Sequence, residues 1–331
     1  MTAGNLAAVD CGTLSTRLLV SAASSVPIVR LTKITALGEG VGGSGALRAD
    51  AVERALGVLR VYKEIMGQYD VQTAAMVGTS ALRDASNREM FCRPASEIIG
   101  VPLQLLQGTE EAAISFEGAT AELPEAGGPW LVVDIGGGST ELVCGPRPLA
   151  ALSLDLGCVR VTERFFASDP PSAAELAAAR AWLGDELRRA GKQLPLPLGA
   201  LIGLAGTVSA LACLAQGVAT YRRDAVHHYR LSREVVERSL LQLGELPVPE
   251  RGRLPGIEPA RAPFVIGGTL VLATLMAEFG FEECLVSEAD ILDGLVRRLA
   301  RSLNSQAAEK LSPPAEVPGA RPPPMARGEY G

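Results

Sequence analysis

Two turns, 124 residues apart, carry the same residue types with the same spacing. Asp10-Cys-Gly-Thr-Leu-Ser-Thr-Arg-Leu-Leu-Val20 and Asp134-Ile-Gly-Gly-Gly-Ser-Thr-Glu-Leu-Val-Cys144 share five identities in eleven positions. In each, an apolar strand ends in Asp, turns through Gly and hydroxyl residues, and returns as an apolar strand. A glycine-rich turn lets successive backbone N–H groups converge on one point, and Ser and Thr hydroxyls add donors, which makes a nest for phosphate. The donors would be Gly12, Thr13 and Ser15 in the first copy and Gly136, Gly137, Gly138, Ser139 and Thr140 in the second. Asp10 and Asp134 end their strands, where a carboxylate beside phosphate serves best as a metal ligand; Glu141, on the returning strand, could join Asp134 around the same ion. An ordinary hairpin with a capping Asp explains one such turn. Two copies favour phosphate.

Two more Gly-Thr turns follow apolar strands, at Gly78-Thr79 and Gly206-Thr207, and the second opens a helix whose N-terminus favours an anion. Arg17 and Arg83 follow the Asp10 and Gly78 turns and are candidates to neutralise phosphate oxygens, with surface arginines as the plain alternative. In Gly108-Thr-Glu-Glu-Ala112, the acidic pair at a helix start reads from the sequence alone as a partner of the helix dipole. His227 and His228, the only histidines, adjoin Arg222 and Arg223 and read as a rim feature rather than a metal pair.

These turns need elements to hold them. Three strands are expected at 6–9, 16–22 and 27–36, and then a helix over 50–68, with Asp50 and Glu53 spaced as a capping box. A strand at 73–77, a helix near 86–99, a strand at 102–106 and a helix from Glu110 complete a mixed α/β unit, followed by a linker at Glu122–Gly128. The pattern restarts with strands at 130–133, 140–144 and 150–154 and helices near 172–191, 207–216, 232–243 and 262–279. Gly244–Pro263 holds five prolines and is expected to be a structured loop. The segment 304–331, rich in Pro and poor in large apolar residues, is expected to be disordered. The expected division is 1–126, with a helix at 288–303 packing back on it, and 127–287.

With 331 residues, 47% of them hydrophobic and 21% charged, the chain can bury two cores, and disorder throughout is excluded. A net charge of −6 offers no global attraction for nucleic acid or an anionic membrane. Only four of the 31 cations are Lys, which suits bidentate phosphate recognition but also follows from genomic base composition. The six cysteines show no C-x-x-C pair and read as buried thiols of a reducing compartment. Residues 1–10 have no secretory pattern, so a cytoplasmic protein is expected. The uncharged run Gln193–Tyr221 is long enough to span a bilayer, but its two Pro and four Gly make it buried core instead.

At this point the residues resemble the exopolyphosphatase and guanosine pentaphosphate phosphohydrolase family, within the superfamily of actin-like, Hsp70-like and sugar-kinase-like ATPase folds. The strings that carry the resemblance are Asp10-x-Gly-Thr-x-Ser-x-Arg17, Gly78-Thr-Ser-Ala-Leu-Arg-Asp-Ala85, Gly108-x-Glu-Glu-Ala112 and Val133-Asp-Ile-Gly-Gly-Gly-Ser-Thr-Glu141. They continue with Leu156-Gly-Cys-Val-Arg160, Gly203-Leu-Ala-Gly-Thr207 and Ser287-Glu-Ala-Asp-Ile-Leu-Asp-Gly294, so the likeness runs from about residue 5 to 303. It implies two duplicated actin-like, ribonuclease H-like α/β domains with mixed sheets facing each other across a cleft. It also implies hydrolysis of a terminal phosphoanhydride with Mg²⁺ or Mn²⁺. By the same match Glu111 becomes the general base, Asp134 and Glu141 hold metal and water, Arg83 and the glycine turns bind phosphate, and Asp10 belongs to the same cleft.

The chain departs from the family where Leu14 replaces a usual Asn and where Gly42-Gly-Ser-Gly45 and Ala46 replace a loop that normally carries Asp and Arg. No extra helical domain follows, which points away from a long polymer channel. The expected activity is release of orthophosphate from short inorganic polyphosphate, with guanosine pentaphosphate as the alternative substrate. A binding protein that senses polyphosphate or an alarmone, and an ATP-dependent kinase or filament former, are the readings from other classes. No nucleic-acid or membrane partner is expected, and a homodimer is left open.

Overall fold

The Asp10 strand and the Asp134 strand each lie inside a mixed sheet, and the two sheets are built the same way. The computed structural model describes residues 4–124, 128–146, 148–195 and 198–311, with side chains to 305. The first half runs β1 (Asn5–Cys11), β2 (Ser15–Ser21), β3 (Pro27–Ile34), α1 (Val41–Ser44), α2 (Ala49–Gln68), β4 (Val71–Gly78), α3 (Ser80–Asp84), α4 (Glu89–Ile99), β5 (Leu103–Leu105) and α5 (Gly108–Thr120). Its sheet order is β3-β2-β1-β4-β5, with β1, β2 and β3 antiparallel and β4 and β5 parallel to β1.

The second half begins with β6 (Trp130–Ile135), β7 (Thr140–Gly145), β8 (Ala150–Leu154), α6 (Cys158–Phe165), α7 (Ala173–Gly191), β9 (Ala200–Leu204) and α8 (Ala205–Gln216). It continues with α9 (Arg223–Val226), β10 (Arg230–Ser232), α10 (Arg233–Glu245), α11 (Val248–Arg251), α12 (Val265–Phe279) and β11 (Glu283–Val286), and α13 (Ile291–Leu311) ends the described chain. Its sheet order is β10-β11-β9-β6-β7-β8. Apart from β10 this is the first sheet again: an antiparallel meander of three strands, then two strands parallel to the first.

The register carries the repeat to single residues. Asp10 lies opposite Arg17 in the first hairpin, and Asp134 lies opposite Glu141 in the second. Gly12 N–H donates to the Ser15 carbonyl at 3.0 Å, and Gly136 N–H donates to the Ser139 carbonyl at 3.0 Å.

Apolar side chains of α2 and α4 fill one face of the first sheet, and those of α7, α8, α10 and α12 fill one face of the second. The other faces are covered by α13 and α5. Ile291, Leu292, Leu295 and Val296 of α13 pack with Leu6, Ala8, Leu19 and Val77 of the first sheet. Helix α5 serves both sheets: Ile114 joins that cluster, while Ala112, Phe116 and Ala119, spaced along another stripe, pack on Trp130, Val132 and Val143. Glycine allows α5 and α13 to approach closely, since a Cβ at Gly118 would lie 1.9 Å from the Asp290 carbonyl oxygen.

Several expectations are corrected. Helix α2 starts at Ala49 after Arg48 with no side-chain cap, so Asp50 forms no capping box; it pairs with Arg48 and Arg54 instead. The helix expected near 86–99 is α4, which starts three residues later at Glu89, and a short helix that was not expected, α3, precedes it. Helix α13 begins at Ile291 and continues past 303 to Leu311, because Gln306–Leu311 contains good helix formers and no proline occurs before Pro313. Residues 312–331 of the expected tail and 125–127 of the expected linker lie outside the described residues. No described helix is long and apolar enough to cross a membrane, and the uncharged run supplies β9 and α8, mostly buried.

Candidate active site

A cleft of about 560 Å³ lies between the two sheets and is lined from both halves. The two glycine turns form adjacent walls. Carbonyls of both turns are consumed from behind. The carbonyls of Gly136, Gly137 and Gly138 accept from Cys158, Val159 and Gly157 N–H at 2.8–3.2 Å, so the turn caps the start of α6. The Thr13 and Leu14 carbonyls accept from Gly38, Thr35 and Ala36. With these carbonyls tied behind, and with Gly12 and Gly136 N–H used inside their own turns, the remaining amides of the turns are the donors a phosphate nest would use. Gly157 must be glycine for this, since a Cβ there would lie 2.1 Å from the Gly137 oxygen.

Glu111 sits in the first turn of α5 and enters the cleft beside Asp10 and Asp134. Its neighbour Glu110 points away and caps the helix, its Oε2 accepting from Gln107 N–H at 3.0 Å. One turn further, Ser115 Oγ donates to Asp134 Oδ2 at 2.9 Å and orients that carboxylate. Burial pushes the Glu111 pKa up to about 7; Arg83 restrains the rise, and Asp10 and Asp134 add to it. Burial likewise lifts Asp134 to about 6. A buried carboxylate with a pKa near neutrality can take a proton from water at physiological pH.

Arg83, expected to bind phosphate, is not among the residues that line the cleft. Its Nη1 donates to Glu111 Oε2 at 2.7 Å and to the Leu106 carbonyl at 2.9 Å. Arg17 lines the cleft, but its three nitrogens are all taken by carboxylates: Nε and Nη2 by Asp10 at 2.8 and 2.7 Å, Nη1 by Asp290 at 2.6 Å. The hydroxyl of Thr140 turns to the opposite side of its strand and donates to the Leu156 carbonyl at 3.1 Å. Thr207 is buried against Gly268. Gly12, Thr13, Ser15, Gly136, Gly137, Gly138, Ser139 and Gly206 do line the cleft.

Glu141 is buried behind the second turn, where Ser153 Oγ donates to its Oε1 at 2.8 Å. Burial, then the charges of Glu111 and Asp134, raise its pKa well above the usual carboxylate value, and Glu141 is not among the residues that line the cleft. The expected metal trio of Asp10, Asp134 and Glu141 is therefore not assembled, and among the described residues no three acidic, His or Cys side chains converge for a metal. Asp10 and Asp134 remain, and one atom argues for a cation: Asp10 Oδ1 is buried and has no hydrogen-bond partner in the protein. Two carboxylates completed by phosphate and water oxygens suit Mg²⁺.

Leu14 makes an apolar contact from the first half to the second, packing on Cys158, Val159 and Phe264. Glu163 accepts from Gly40 N–H at 2.8 Å, and Arg160 Nη2 donates to Asp84 at 2.6 Å, so α6 ties the second half to the first on that side. The histidines are a rim feature: His227 Nδ1 accepts from Glu288 N–H at 3.0 Å, and the two rings stack at 3.8 Å.

Sequence reasoning missed Ser115, Arg30, Tyr221, Arg223, Arg261 and Asp290, all of which reach or border the cleft. Arg261 lies over Gly206, where a Cβ would lie 2.3 Å from its guanidinium. Asp290 was inside a quoted string, and its place beside Arg17, 273 residues earlier, is a tertiary contact no local signal gives.

The model of the Ppx/GppA phosphatase family matches residues 20–303. Exopolyphosphatase 2 of Mycobacterium tuberculosis is 37% identical over 313 residues, covering 89% of this chain and 98% of that protein. A solved exopolyphosphatase-like protein superposes with a TM-score of 0.85 at 31% identity, covering 90% of this chain and 99% of the other. A Ppx/GppA family member from Aquifex aeolicus superposes with a TM-score of 0.74 at 28% identity, covering 92% and 98%.

Proposed function

The chain belongs to the Ppx/GppA phosphatase family, and we propose that it is an exopolyphosphatase that releases orthophosphate from the end of short inorganic polyphosphate. The observation that carries this reading is Glu111, a buried carboxylate with a pKa of about 7, in one cleft with the amides of both glycine turns. The terminal phosphoryl group sits against those amides, which neutralise its equatorial oxygens without reorganisation during the reaction. Glu111 takes a proton from the water that attacks in line with the departing chain, and Arg83 and the helix start hold its carboxylate in place. Ser115 fixes Asp134, and Arg17 fixes Asp10. Asp10 and Asp134 would hold Mg²⁺ or Mn²⁺, which when bound neutralises charge on the phosphoryl oxygens.

The same reading takes 1–126 with α13, and 127–287, as two domains. Six free, buried cysteines support a reducing, cytoplasmic setting.

The test is orthophosphate release with Mg²⁺ from short and long polyphosphate, guanosine pentaphosphate and ATP in parallel, with Glu111→Gln as the control. Release from polyphosphate that the variant loses supports the reading. Preference for guanosine pentaphosphate moves the substrate to the alarmone. Tight binding of any of them without release by the unsubstituted chain makes the protein a sensor.

A further inference from the structure

Among the described residues, four buried side-chain polar atoms have no hydrogen-bond partner in the protein: Asp10 Oδ1, Arg30 Nε, Arg223 Nε and Arg223 Nη2. All three residues line the same cleft. Native proteins pair nearly all such atoms, so a buried donor left open calls for an acceptor from outside the chain. Asp10 belongs to the reacting end. The two arginines do not.

Arg30 leaves β3 of the first half and is separated from Asp10 by a ladder of charges. Asp10 pairs with Arg17 at 2.7 Å, Arg17 with Asp290 at 2.6 Å, and Asp290 with Arg30 at 3.3 Å; Arg30 ends on Asp293 at 2.5 Å. Its two terminal nitrogens are spent on those carboxylates, and Nε is left. Arg223 opens α9 of the second half and has no ion pair within 4 Å among the described residues, and its Nε and Nη2 are buried without a hydrogen-bond partner. Both act on one group, the Tyr221 hydroxyl: burial and Glu288 raise its pKa, while Arg30 and Arg223 oppose the rise. The two arginines thus line one cleft from opposite halves, and both place positive charge on the side of Tyr221. The Tyr221 hydroxyl donates to Glu288 and takes no hydrogen bond from the open nitrogens of either guanidinium.

We infer that Arg223, with Arg30, forms a second anion subsite that takes a phosphoryl group of the substrate farther from the one cleaved at Glu111 than the three units of tripolyphosphate reach. A planar guanidinium with two adjacent free nitrogens suits two oxygens of one phosphate. The subsite explains at once why Arg223 lacks a protein partner and why Arg30 is held by two carboxylates yet keeps one donor open. It rests on the hydrolase reading above and adds a specificity determinant to it. The phosphoryl group has two sources, the farther units of a polyphosphate or the second phosphate cluster of a guanosine pentaphosphate.

The experiment compares kcat/KM for tripolyphosphate, longer polyphosphate and guanosine pentaphosphate in the unsubstituted chain, Arg223→Gln and Arg223→Lys. The expected result is that the ratio of kcat/KM for the longer substrate to that for tripolyphosphate falls about tenfold in Arg223→Gln, the loss of one charge-assisted contact, and less in Arg223→Lys. Because the ratio is internal to each variant, a smaller folded fraction cancels from it. A fall confined to polyphosphate assigns the subsite to the chain, and one confined to guanosine pentaphosphate assigns it to the nucleotide. Ratios equal to those of the unsubstituted chain for both substrates overturn the inference. If the unsubstituted chain turns over none of these, the hydrolase reading fails separately, and titration calorimetry with longer polyphosphate decides the subsite: weaker binding by Arg223→Gln supports it, and equal affinity overturns it.

Discussion

Arg83, an arginine expected to bind phosphate, donates to the expected base Glu111 across 2.7 Å. The pair joins α3 to the first turn of α5, and the Leu106 carbonyl takes the same Arg83 nitrogen. Burial drives the Glu111 pKa up, and Arg83 is the strongest force holding it down to about 7. The arginine is a positioning and tuning residue for the base.

Removing Arg83 therefore has a signature in pH. In Arg83→Met the Glu111 pKa climbs further, so the rising limb of kcat/KM against pH moves at least about one unit upward, and activity near neutrality falls about tenfold for each unit. Activity recovers at higher pH. A residue binding phosphate directly would instead raise KM at every pH with the limb unmoved, and that profile would rule out the tuning role.

The base also affects stability. Between the ordinary value of 4.5 and the folded value of about 7, folded Glu111 binds more protons than the unfolded chain does, so its contribution to stability falls as pH rises through that window. Glu111→Gln removes a buried charge that exists mainly above pH 7. The variant is expected to be more stable than the unsubstituted chain by about 1–3 kcal/mol at pH 8, and about equal at pH 4. It should also lose about 10²–10⁴-fold in turnover while still binding polyphosphate. Thermal melts at the two pH values check the first part. Lower stability at pH 8 would place Glu111 among the residues that hold the fold.

The repeated turn was legible because a strand ending in Asp and a Gly-rich reversal are local patterns, and the matching registers of Asp10 with Arg17 and Asp134 with Glu141 follow from equal spacing. What each side chain of the turn faces was less so. Strand alternation sends Thr140 away from the cleft although its neighbour Ser139 lines it. At α5, the 100° step of a helix makes Glu110 a cap and Glu111 a cleft residue, a difference that the pair read as a dipole partner does not reveal. Arg83 and Arg17 were each expected to meet phosphate, and each meets a carboxylate brought by distant chain, Glu111 and Asp290. Charge type was readable from the sequence. The partner was set by packing of α5 and α13 on the first sheet.

Asp10 offers a direct test of the cation. Its Oδ2 is bound by Arg17, while Oδ1 is buried and open. Asp10→Asn keeps the shape but weakens the charge, and Mg²⁺ affinity read by calorimetry without substrate should fall about tenfold or more. The same loss should appear as a higher half-saturating Mg²⁺ in turnover. Unchanged Mg²⁺ binding in both Asp10→Asn and Asp134→Asn would remove these carboxylates from the metal site.

Leu14 stands where the resemblance led to the expectation of Asn, and its place in the fold shows what the leucine does. Its side chain is buried against Cys158 and Val159 of α6 and against Phe264, all in the second half, while the turn it belongs to is in the first. A Cβ at Gly137 would lie 2.9 Å from Leu14 N, so backbone and side chain together seat one glycine turn against the other. An amide there could reach phosphate but would leave that apolar seat unfilled. Leu14→Asn should therefore destabilise the chain by about 2–5 kcal/mol, in the range of losing a buried leucine. The diagnostic measurement is a double-mutant cycle of Leu14→Ala with Val159→Ala, for which contact across the halves requires a coupling of about 0.5–3 kcal/mol. Additive losses would mean that the two turns are held together by the backbone approach and by the Arg160 and Glu163 ties alone, with Leu14 free to be exchanged for a phosphate-binding side chain.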